Sequence, residues 1–270
     1  MASWRSGYAE DCKSLHPGSI PGEASTSFLR RVAGDGAMPQ SGRGANRMAL
    51  TALDEDASAQ RLKMVNGQLR VCDVNDLDLL AAFLDTPREA FVAPEMARFA
   101  YRDGDQPSLG SPTRRLLPPT VLARLLQAAE VKPGERVLDV GGGAGYGAAI
   151  LEHLGAQVVA LESDPGAAAA ARKLLNGRPG IEVVEGDLAA GAKGRGPFAV
   201  IVVEGGFEIP PDALLAQLAE NGRLVGVDAR EGAPAATLIE RLATGFGRRA
   251  LFETRAACLE AFKQAPTFAF

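Results

Sequence analysis

The sequence predicts a doubly wound α/β fold: a mostly parallel seven-stranded sheet, with an antiparallel hairpin at its C-terminal edge and a helical extension at its N-terminus. Short apolar runs alternate with stretches of helical periodicity from Gly134 onward. A glycine-rich loop follows the first of these runs, and two strand-like runs joined by a short turn stand near the C-terminus. These observations predict a Rossmann-like sheet that helices cover on both faces.

The composition excludes several classes of protein. The chain has 270 residues, of which 46% are hydrophobic and 23% charged, as in an ordinary globular protein. The net charge of -4 and the pI of about 5.4 give no basic field for DNA or RNA. The longest apolar run, Phe198–Val203, is too short for a bilayer, and three cysteines and two histidines are too sparse for a disulfide framework or a metal site. We therefore expect a cytoplasmic, metal-free monomer that binds neither nucleic acid nor membrane.

The chain divides into three predicted regions. Residues 1–47 are rich in Gly, Ser, Pro and Ala without any periodicity, which predicts a disordered tail or an over-extended start ahead of Met48. Residues 48–117 are predicted to form the helical extension, on the substrate side. Residues 118–270 are predicted to form the sheet domain, which would bind the cofactor.

The extension is predicted from helical spacing and from prolines. Apolar residues recur at helical intervals in "AQRLKMVNGQLRV", and a second helix from Asn75 has a broad apolar face that includes Leu77 and Phe83. Pro87 opens a third, short helix. A polar loop is expected at "YRDGDQPSLGSPTRR", and a helix after the prolines of "PPTVLARLLQAAEV".

The sheet domain is predicted from the alternation of apolar runs and helical stretches. Strands are expected at "RVLDV", "AQVVALE", "IEVVEGD", "FAVIVVE" and "GRLVGV". Helices between them are expected at "YGAAILEHL", "PGAAAAARKLLN" and "PDALLAQLAE". Only a short turn separates "ATLIERLATGF" from "RRALFET", so these runs are expected to pair as an antiparallel edge hairpin.

The loop after the first strand carries the strongest functional signal. Gly141, Gly143 and Gly145 bare the backbone for a ligand at a helix N-terminus. The stretch "GAGYGA" also fits the looser dinucleotide pattern G-x-G-x-x-A. Asp139, however, gives the motif D-x-G-x-G-x-G and places a negative charge beside the ligand. A pyrophosphate would be repelled there, whereas a ligand with an amino group and a sulfonium would be attracted.

Two further acids follow successive strands at the same rim. Glu162 ends the second strand, where a carboxylate can accept hydrogen bonds from both hydroxyls of a ribose. Asp187 follows the third strand, in position to accept from an adenine amino group. With Asp139 they predict an S-adenosyl-L-methionine (SAM) site and the core of a class I methyltransferase. Solvated acids at strand ends are the alternative.

Two more residues are assigned to this site. Tyr146 begins the helix after the loop and is expected to pack on the methionine portion of the cofactor, with capping and core packing as the alternative. Glu204 ends the fourth strand and is counted with the cofactor-binding residues. It would also face the acceptor, and its charge would repel a carboxylate there.

Four blocks of the sequence resemble a known family. They are "MVNGQLRVCDVNDLDLLAAFLDTPREAFV", "VKPGERVLDVGGGAGY", "GPFAVIVVEGG" and "IPPDALLAQL". In these blocks the chain is similar to the protein-L-isoaspartate O-methyltransferases, over roughly residues 62–227, and the first block is the specific one. The resemblance implies SAM-dependent carboxyl O-methylation of isoaspartyl (and D-aspartyl) residues in damaged proteins or peptides, the first step of their repair.

The resemblance breaks at one loop. The family carries G-Q-T-I-S-Q-P, whose Thr and Ser hydroxyls line the reaction centre, whereas this chain has "SPTRRLLPPTV". On alignment with the prolines, the family threonine falls on Arg114 and the serine on Leu116, so these substituted positions are the expected catalytic ones. Ser111 and Thr113 stand nearby, and Arg114 or Arg115 adds a cationic fork suited to a carboxylate.

The implied chemistry does not require a catalytic base. The acceptor carboxylate is ionised at neutral pH and attacks the sulfonium methyl directly, so catalysis depends on proximity and alignment. Loss of an oriented hydroxyl therefore predicts weak isoaspartyl turnover with ordinary cofactor affinity. The alternatives are a catalytically weak SAM-binding homologue with a regulatory role, and a methyltransferase for another small-molecule or protein acceptor.

Overall fold

The computed structural model of the chain describes residues 56–265. The prediction of a disordered tail over residues 1–47 lies outside this range, as does the beginning of the predicted extension. The fold described below is therefore that of the remaining extension and of the sheet domain up to residue 265.

The extension consists of short helical pieces. Helix α1 covers residues 56–64, and helix α2 covers Leu77–Asp85, with the Asp76 carboxylate accepting hydrogen bonds at its N-terminus. The expected apolar face of α2 is present, because Leu79 and Phe83 are buried. Leu77 is 69% exposed, so its assignment to that face was wrong: it lies in the first turn, on the solvent side. Shorter turns of π- or 3-10 helix span Val65–Leu69, Arg70–Cys72, Arg88–Ala90 and Pro94–Phe99.

The polar loop predicted near the end of the extension is in fact a small hairpin. Strand β1, Gln106–Pro107, pairs antiparallel with strand β2, Arg115–Leu116. The turn between them is closed by its own hydrogen bonds, since the Ser108 N–H donates to the Arg114 carbonyl at 2.9 Å and the Ser111 hydroxyl accepts from the Arg114 N–H at 3.0 Å. Helix α3, Pro119–Ala129, follows the prolines as expected.

The predicted seven-stranded sheet is confirmed. Strands β3 to β9 span Arg136–Val140, Gln157–Glu162, Ile181–Glu185, Phe198–Phe207, Leu218–Asp228, Ala235–Leu242 and Gly245–Glu253. Their order is β5-β4-β3-β6-β7-β8-β9, parallel as far as β7 and antiparallel over β8 and β9. Helices α4, Tyr146–His153, and α5, Pro165–Leu174, connect the first three of these strands. The strand order reverses at β3, so the carboxyl ends of β3, β4 and β6 frame a crevice there.

One predicted helix is largely wrong. The stretch expected to be helical over residues 211–220 forms a single turn, α6, Asp212–Leu215, and β7 begins at Leu218. The Gln217 carbonyl accepts a hydrogen bond from the Phe198 N–H at 2.9 Å, which draws the chain back to the sheet. Pairing with β6 thus overrides the local helix propensity.

Apolar side chains fill both faces of the sheet. One buried cluster joins the extension to one face and includes Phe83, Leu122 and Val200, and a second cluster on the other face includes Leu138 and Phe262. Because the extension and the sheet domain share the first cluster, the boundary at residues 117 and 118 stays a prediction. Within residues 56–265, no helix has the length and apolar content needed to cross a membrane.

Candidate functional site

The glycine loop lies at the carboxyl end of β3, where the strand order reverses. Gly141, Gly143 and Gly145 have φ angles of 75°, 63° and 91°, in the left-handed region that favours glycine. The Gly141 N–H donates to the Leu161 carbonyl at 2.9 Å, which ties the loop to β4. The backbone conformation that the motif predicted is therefore present, immediately before helix α4.

Glu162 lies at the end of β4 with its carboxylate turned toward this loop. The residue is only 2% exposed. Its Oε2 accepts a hydrogen bond from the Gly143 N–H at 3.0 Å, and its Oε1 accepts from the Ser163 and Asp164 N–H groups at 2.7 and 2.9 Å. The strand end and the glycine loop thus bring a buried carboxylate to the place where the sequence predicted a ribose-binding acid.

Arg114 binds the same carboxylate. Its Nη2 donates to Glu162 Oε1 at 2.6 Å, and its Nε lies 3.0 Å from Oε2, so the guanidinium is bidentate. The two side chains are 12% and 3% exposed. Arg114, expected at the reaction centre, is thus bound to the predicted ribose-binding acid. This contact joins residues far apart in sequence, and no local pattern indicates it.

The hairpin turn that carries Arg114 covers the glycine loop. The Ser108 hydroxyl accepts a hydrogen bond from the Ala144 N–H at 2.9 Å, and a Cβ built on Gly143 would lie only 2.4 Å from that oxygen. The Ser111 hydroxyl donates to the Asp164 carboxylate at 2.6 Å. Sequence reasoning missed Ser108, and it considered Ser111 for catalysis, whereas the structure gives both a role in holding the turn on the loop.

Asp139 and Glu204 form a buried pair of carboxyl groups beneath the glycine loop. They are 1% and 2% exposed. A Cβ built on Gly142 would lie 2.6 Å from Asp139 Oδ2 and 3.0 Å from Glu204 Oε1, and one built on Gly147 would lie 1.8 Å from Glu204 Oε1. Their four buried oxygens form no hydrogen bond of ordinary geometry with the described residues, although the nearby Ala148 N–H partly offsets the raised pKa of Asp139. Asp139 therefore lies beneath the loop. The motif had predicted a position beside the ligand, on an open face.

Burial and mutual repulsion keep a proton on this pair. Burial, with the charge of Glu204 next in importance, raises the pKa of Asp139 well above its usual range. Burial raises the pKa of Glu204 to about 7, against a partial opposing effect of the Arg88 charge. A proton held on Asp139 gives that carboxyl group a donor toward Glu204, which two carboxylates would lack.

Arg88 is a buried cation that sequence reasoning missed, although it stands in the block "PREAFV" that carried the resemblance. It is fully buried, and its Nε and Nη2 donate to the carbonyls of Ala100 and Leu117 at 2.9 and 2.7 Å. Burial lowers the pKa of its guanidinium. Its guanidinium carbon stands 4.8 Å from the centre of the Tyr146 ring. Arg88 thus places a positive charge behind the carboxyl pair.

Tyr146 belongs to the core and does not face a ligand. It is fully buried, and its ring meets those of Phe83 and Phe91 edge-on, with centroids 6.0 and 5.5 Å apart. The expectation that it packs on the cofactor was wrong, and the alternative of core packing describes its position. These aromatic contacts, together with Arg88, connect helix α4 to the extension.

Leu116 also belongs to the core. It is 1% exposed and lies in the cluster that joins the extension to the sheet, while its neighbour Arg115 is exposed. The alternation of β2 turns Leu116 inward and Arg115 outward. Its assignment as a catalytic position is therefore wrong, because a side chain at residue 116 points into the apolar interior.

Two further parts of the rim complete the site. Asp187 is exposed just beyond β5, as predicted, and its carboxylate accepts from the Ala189 N–H at 2.9 Å. Leu259, which sequence reasoning missed, packs on the loop: a Cβ built on Gly141 would lie 2.9 Å from its Cδ1. The only sequence signal for it is an apolar residue beyond the last strand. Among residues 56–265 there is no group of His, Cys, Asp and Glu placed to hold a metal ion.

The carboxyl pair predicts how the free energy of unfolding depends on pH. The folded protein keeps a proton on Glu204 up to pH about 7, whereas the unfolded chain loses it near the ordinary value of 4.5. The free energy of unfolding therefore falls as pH rises through this window. Glu204→Gln, whose amide can donate to Asp139, should raise the free energy of unfolding by about 1–3 kcal/mol at pH 8 and have little effect near pH 4.5.

Urea denaturation at the two pH values measures this difference. Glu220→Gln is the matched control, because Glu220 is exposed in β7 and its replacement should have the same small effect at both pH values. An equal effect of Glu204→Gln at pH 8 and near pH 4.5 would contradict a protonated pair.

The family model and the similar proteins agree on one family. A family model described as protein-L-isoaspartate(D-aspartate) O-methyltransferase matches residues 61–245. The protein-L-isoaspartate O-methyltransferase of Methylorubrum populi is 39% identical over 168 residues, which are 62% of this chain and 78% of the relative. That of Koribacter versatilis is 40% identical over 61% of this chain and 74% of the relative.

Solved structures show the same fold. One protein-L-isoaspartate O-methyltransferase structure matches with a TM-score of 0.64 at 26% identity, covering 74% of this chain and 65% of that chain, which is less than two thirds of it. A Plasmodium falciparum structure, solved in complex with S-adenosyl-L-homocysteine, matches with a TM-score of 0.63 over 74% of this chain and 97% of that chain. At 19% identity, the second likeness shows the fold alone.

Proposed function

The chain belongs to the protein-L-isoaspartate(D-aspartate) O-methyltransferase family, and from this membership we propose that it transfers a methyl group from SAM to the free α-carboxylate of isoaspartyl residues. The observation that carries the proposal is the buried Glu162 carboxylate, hydrogen-bonded to the Gly143 N–H of the loop after β3. We propose that the chain is a monomeric enzyme of the cytoplasm. Its methylation of damaged proteins or peptides would be the first step of their repair.

The residues at the rim fit such a cofactor in kind and in position. Glu162 is a carboxylate for two ribose hydroxyls, and Asp187 is an exposed acceptor beyond β5. The glycine loop has no side chains of its own in the way, but Ser108 and Leu259 lie against it and must move aside for a ligand. A bound SAM would supply an electrophilic methyl on a sulfonium. Arg114 satisfies Glu162 in the arrangement described, so the ribose hydroxyls must compete with it.

The acceptor needs alignment more than it needs a base. An isoaspartyl carboxylate is ionised at neutral pH, so no proton has to be removed before it attacks. The family threonine and serine are replaced by Arg114 and Leu116, and Leu116 is buried, so neither residue offers a hydroxyl to orient the acceptor. We therefore expect turnover about two to three orders of magnitude below that of a relative with both hydroxyls.

Labelled methyl transfer to an isoaspartyl peptide, beside its normal aspartyl twin, tests the proposed function. We expect slow, base-labile incorporation of label into the isoaspartyl peptide and none into its aspartyl twin, since only the isoaspartyl residue has a free α-carboxylate. Calorimetry on the same protein should show binding of S-adenosyl-L-homocysteine and none of NAD. Equal labelling of the two peptides, or tight NAD binding, would contradict the proposal.

One observation favours a second candidate function. The bidentate Arg114–Glu162 pair engages the predicted ribose-binding acid, and a leucine stands where the family has a serine. Both features suit a catalytically weak SAM-binding homologue with a regulatory role. Cofactor binding without labelling of either peptide would favour this candidate, or a methyltransferase for another acceptor.

A further inference from the structure

Arg114 is a cation at a rim where the predicted cofactor-binding side chains, Glu162 and Asp187, are acids. Its guanidinium binds Glu162 through two nitrogens, and that carboxylate is the one proposed for the ribose. We propose that Arg114 serves two ligands in turn: it holds Glu162 until a ribose takes that carboxylate, and it then binds the carboxylate of the acceptor. The inference rests on the proposed function, which supplies a nucleoside cofactor and a carboxylate acceptor.

The hydrogen bonds at Glu162 show which partner can leave. The N–H groups of Gly143, Ser163 and Asp164 belong to the glycine loop and to the turn after β4, so the backbone fixes them. Arg114 reaches Glu162 with a long side chain that is 12% exposed. Rotation of that side chain breaks its hydrogen bonds to both carboxylate oxygens and to the Ser163 hydroxyl, while the backbone hydrogen bonds to Glu162 remain. Ribose hydroxyls and Arg114 therefore compete for the same acceptor atoms.

The acceptor supplies a reason for the released guanidinium to stay at the rim. A carboxylate that approaches the site meets the negative charges of Glu162 and Asp187. A cation that forms bidentate hydrogen bonds offsets this repulsion, and Arg114 already forms them with a carboxylate. The acceptor would thus exchange with Glu162 as the partner of the guanidinium.

Neighbouring arginines do not offer this exchange. Arg88 is fully buried, and its Nε and Nη2 are committed to the carbonyls of Ala100 and Leu117. Arg115 is exposed beside Arg114 on β2, where alternation directs it to the opposite face of the strand. Arg115 is therefore a matched control: the same residue type, one position away.

The exchange predicts positive coupling between the two ligands. An acceptor that draws Arg114 away from Glu162 removes the competitor of the ribose, and by linkage each ligand must strengthen the binding of the other by the same factor. The acceptor can increase the affinity for the nucleoside ligand at most by the factor that removal of the Arg114 guanidinium would give.

Calorimetric titration of the full chain with S-adenosyl-L-homocysteine, with and without isoaspartyl peptide, tests this. Arg114→Gln should bind S-adenosyl-L-homocysteine about tenfold more tightly than the unchanged protein, and Arg115→Gln should bind it equally well. The peptide should tighten binding several-fold in the unchanged protein and in Arg115→Gln, and not at all in Arg114→Gln. Arg114→Lys, which keeps the charge without the fork, should give an intermediate affinity and keeps the test valid if the glutamine variant folds poorly.

Each outcome decides one point. Equal affinity of the unchanged protein and Arg114→Gln would overturn the competition, and a peptide effect that persists in Arg114→Gln would overturn the transfer of Arg114 to the acceptor. No binding of S-adenosyl-L-homocysteine to any of the proteins would instead refute the proposed function, so the two failures are distinguishable.

Discussion

Leu116→Ser should lower the free energy of unfolding by about 2–5 kcal/mol, because it removes most of a fully buried side chain and leaves a hydroxyl in an apolar cluster. The alignment placed residue 116 at the reaction centre, where a serine would restore the family hydroxyl. In the structure, residue 116 faces the core, so serine there gains no contact with a ligand at the rim. Urea denaturation measures the loss.

Leu242→Ser is the matched control for this prediction. Leu242 is 51% exposed at the end of β8, so its replacement should change the free energy of unfolding by less than about 0.5 kcal/mol. A Leu116→Ser protein as stable as the unchanged one, with faster methyl transfer, would show that residue 116 faces the reaction centre.

The second large effect is expected at Glu162. Two ribose hydroxyls that donate to a charged, buried carboxylate contribute about 3 kcal/mol, or about a hundredfold in affinity. In the unchanged protein part of this is offset by displacing Arg114, so Glu162→Ala should weaken S-adenosyl-L-homocysteine binding about tenfold. In the Arg114→Gln background the same change should weaken it about a hundredfold. Glu182→Ala, which removes an exposed strand carboxylate paired with Arg195, should leave the affinity unchanged.

The parallel part of the fold was predictable because its elements have strong local signals. The strand at Arg136–Val140 and the glycine loop that follows agree with the sequence prediction residue by residue, since an apolar run ends at a turn that needs glycine. The edge hairpin, Ala235–Leu242 with Gly245–Glu253, follows from two strand-like runs and a turn too short for a parallel crossover.

One failure occurs where a distant contact overrides local preference, and the other where hydrogen bonds within a polar loop close a turn. Residues 211–220 have helical spacing, yet pairing with β6 turns the last three residues of this stretch into strand. The loop expected to be polar forms a hairpin because Ser108 and Ser111 close its turn. The first outcome depends on pairing with another strand, whereas the second depends on hydrogen bonds within the loop itself.

The site shows the same division. Glu162 and Asp187 lie at the predicted rim, because a parallel sheet brings the carboxyl ends of its strands to one edge. The sequence gives no indication that Asp139 shares a buried space with Glu204, or that Arg114 binds Glu162. Those contacts depend on side-chain directions and on the fold of the hairpin over the loop, which spacing does not encode.

The affinity of S-adenosyl-L-homocysteine in four proteins tests the central claim most directly: the unchanged chain, Arg114→Gln, Glu162→Ala and the double variant. If Glu162 is the ribose carboxylate and Arg114 its resident competitor, Arg114→Gln tightens binding about tenfold when Glu162 is present and has no effect when residue 162 is alanine. An equal effect of Arg114→Gln in both backgrounds, or full affinity without Glu162, would contradict the account.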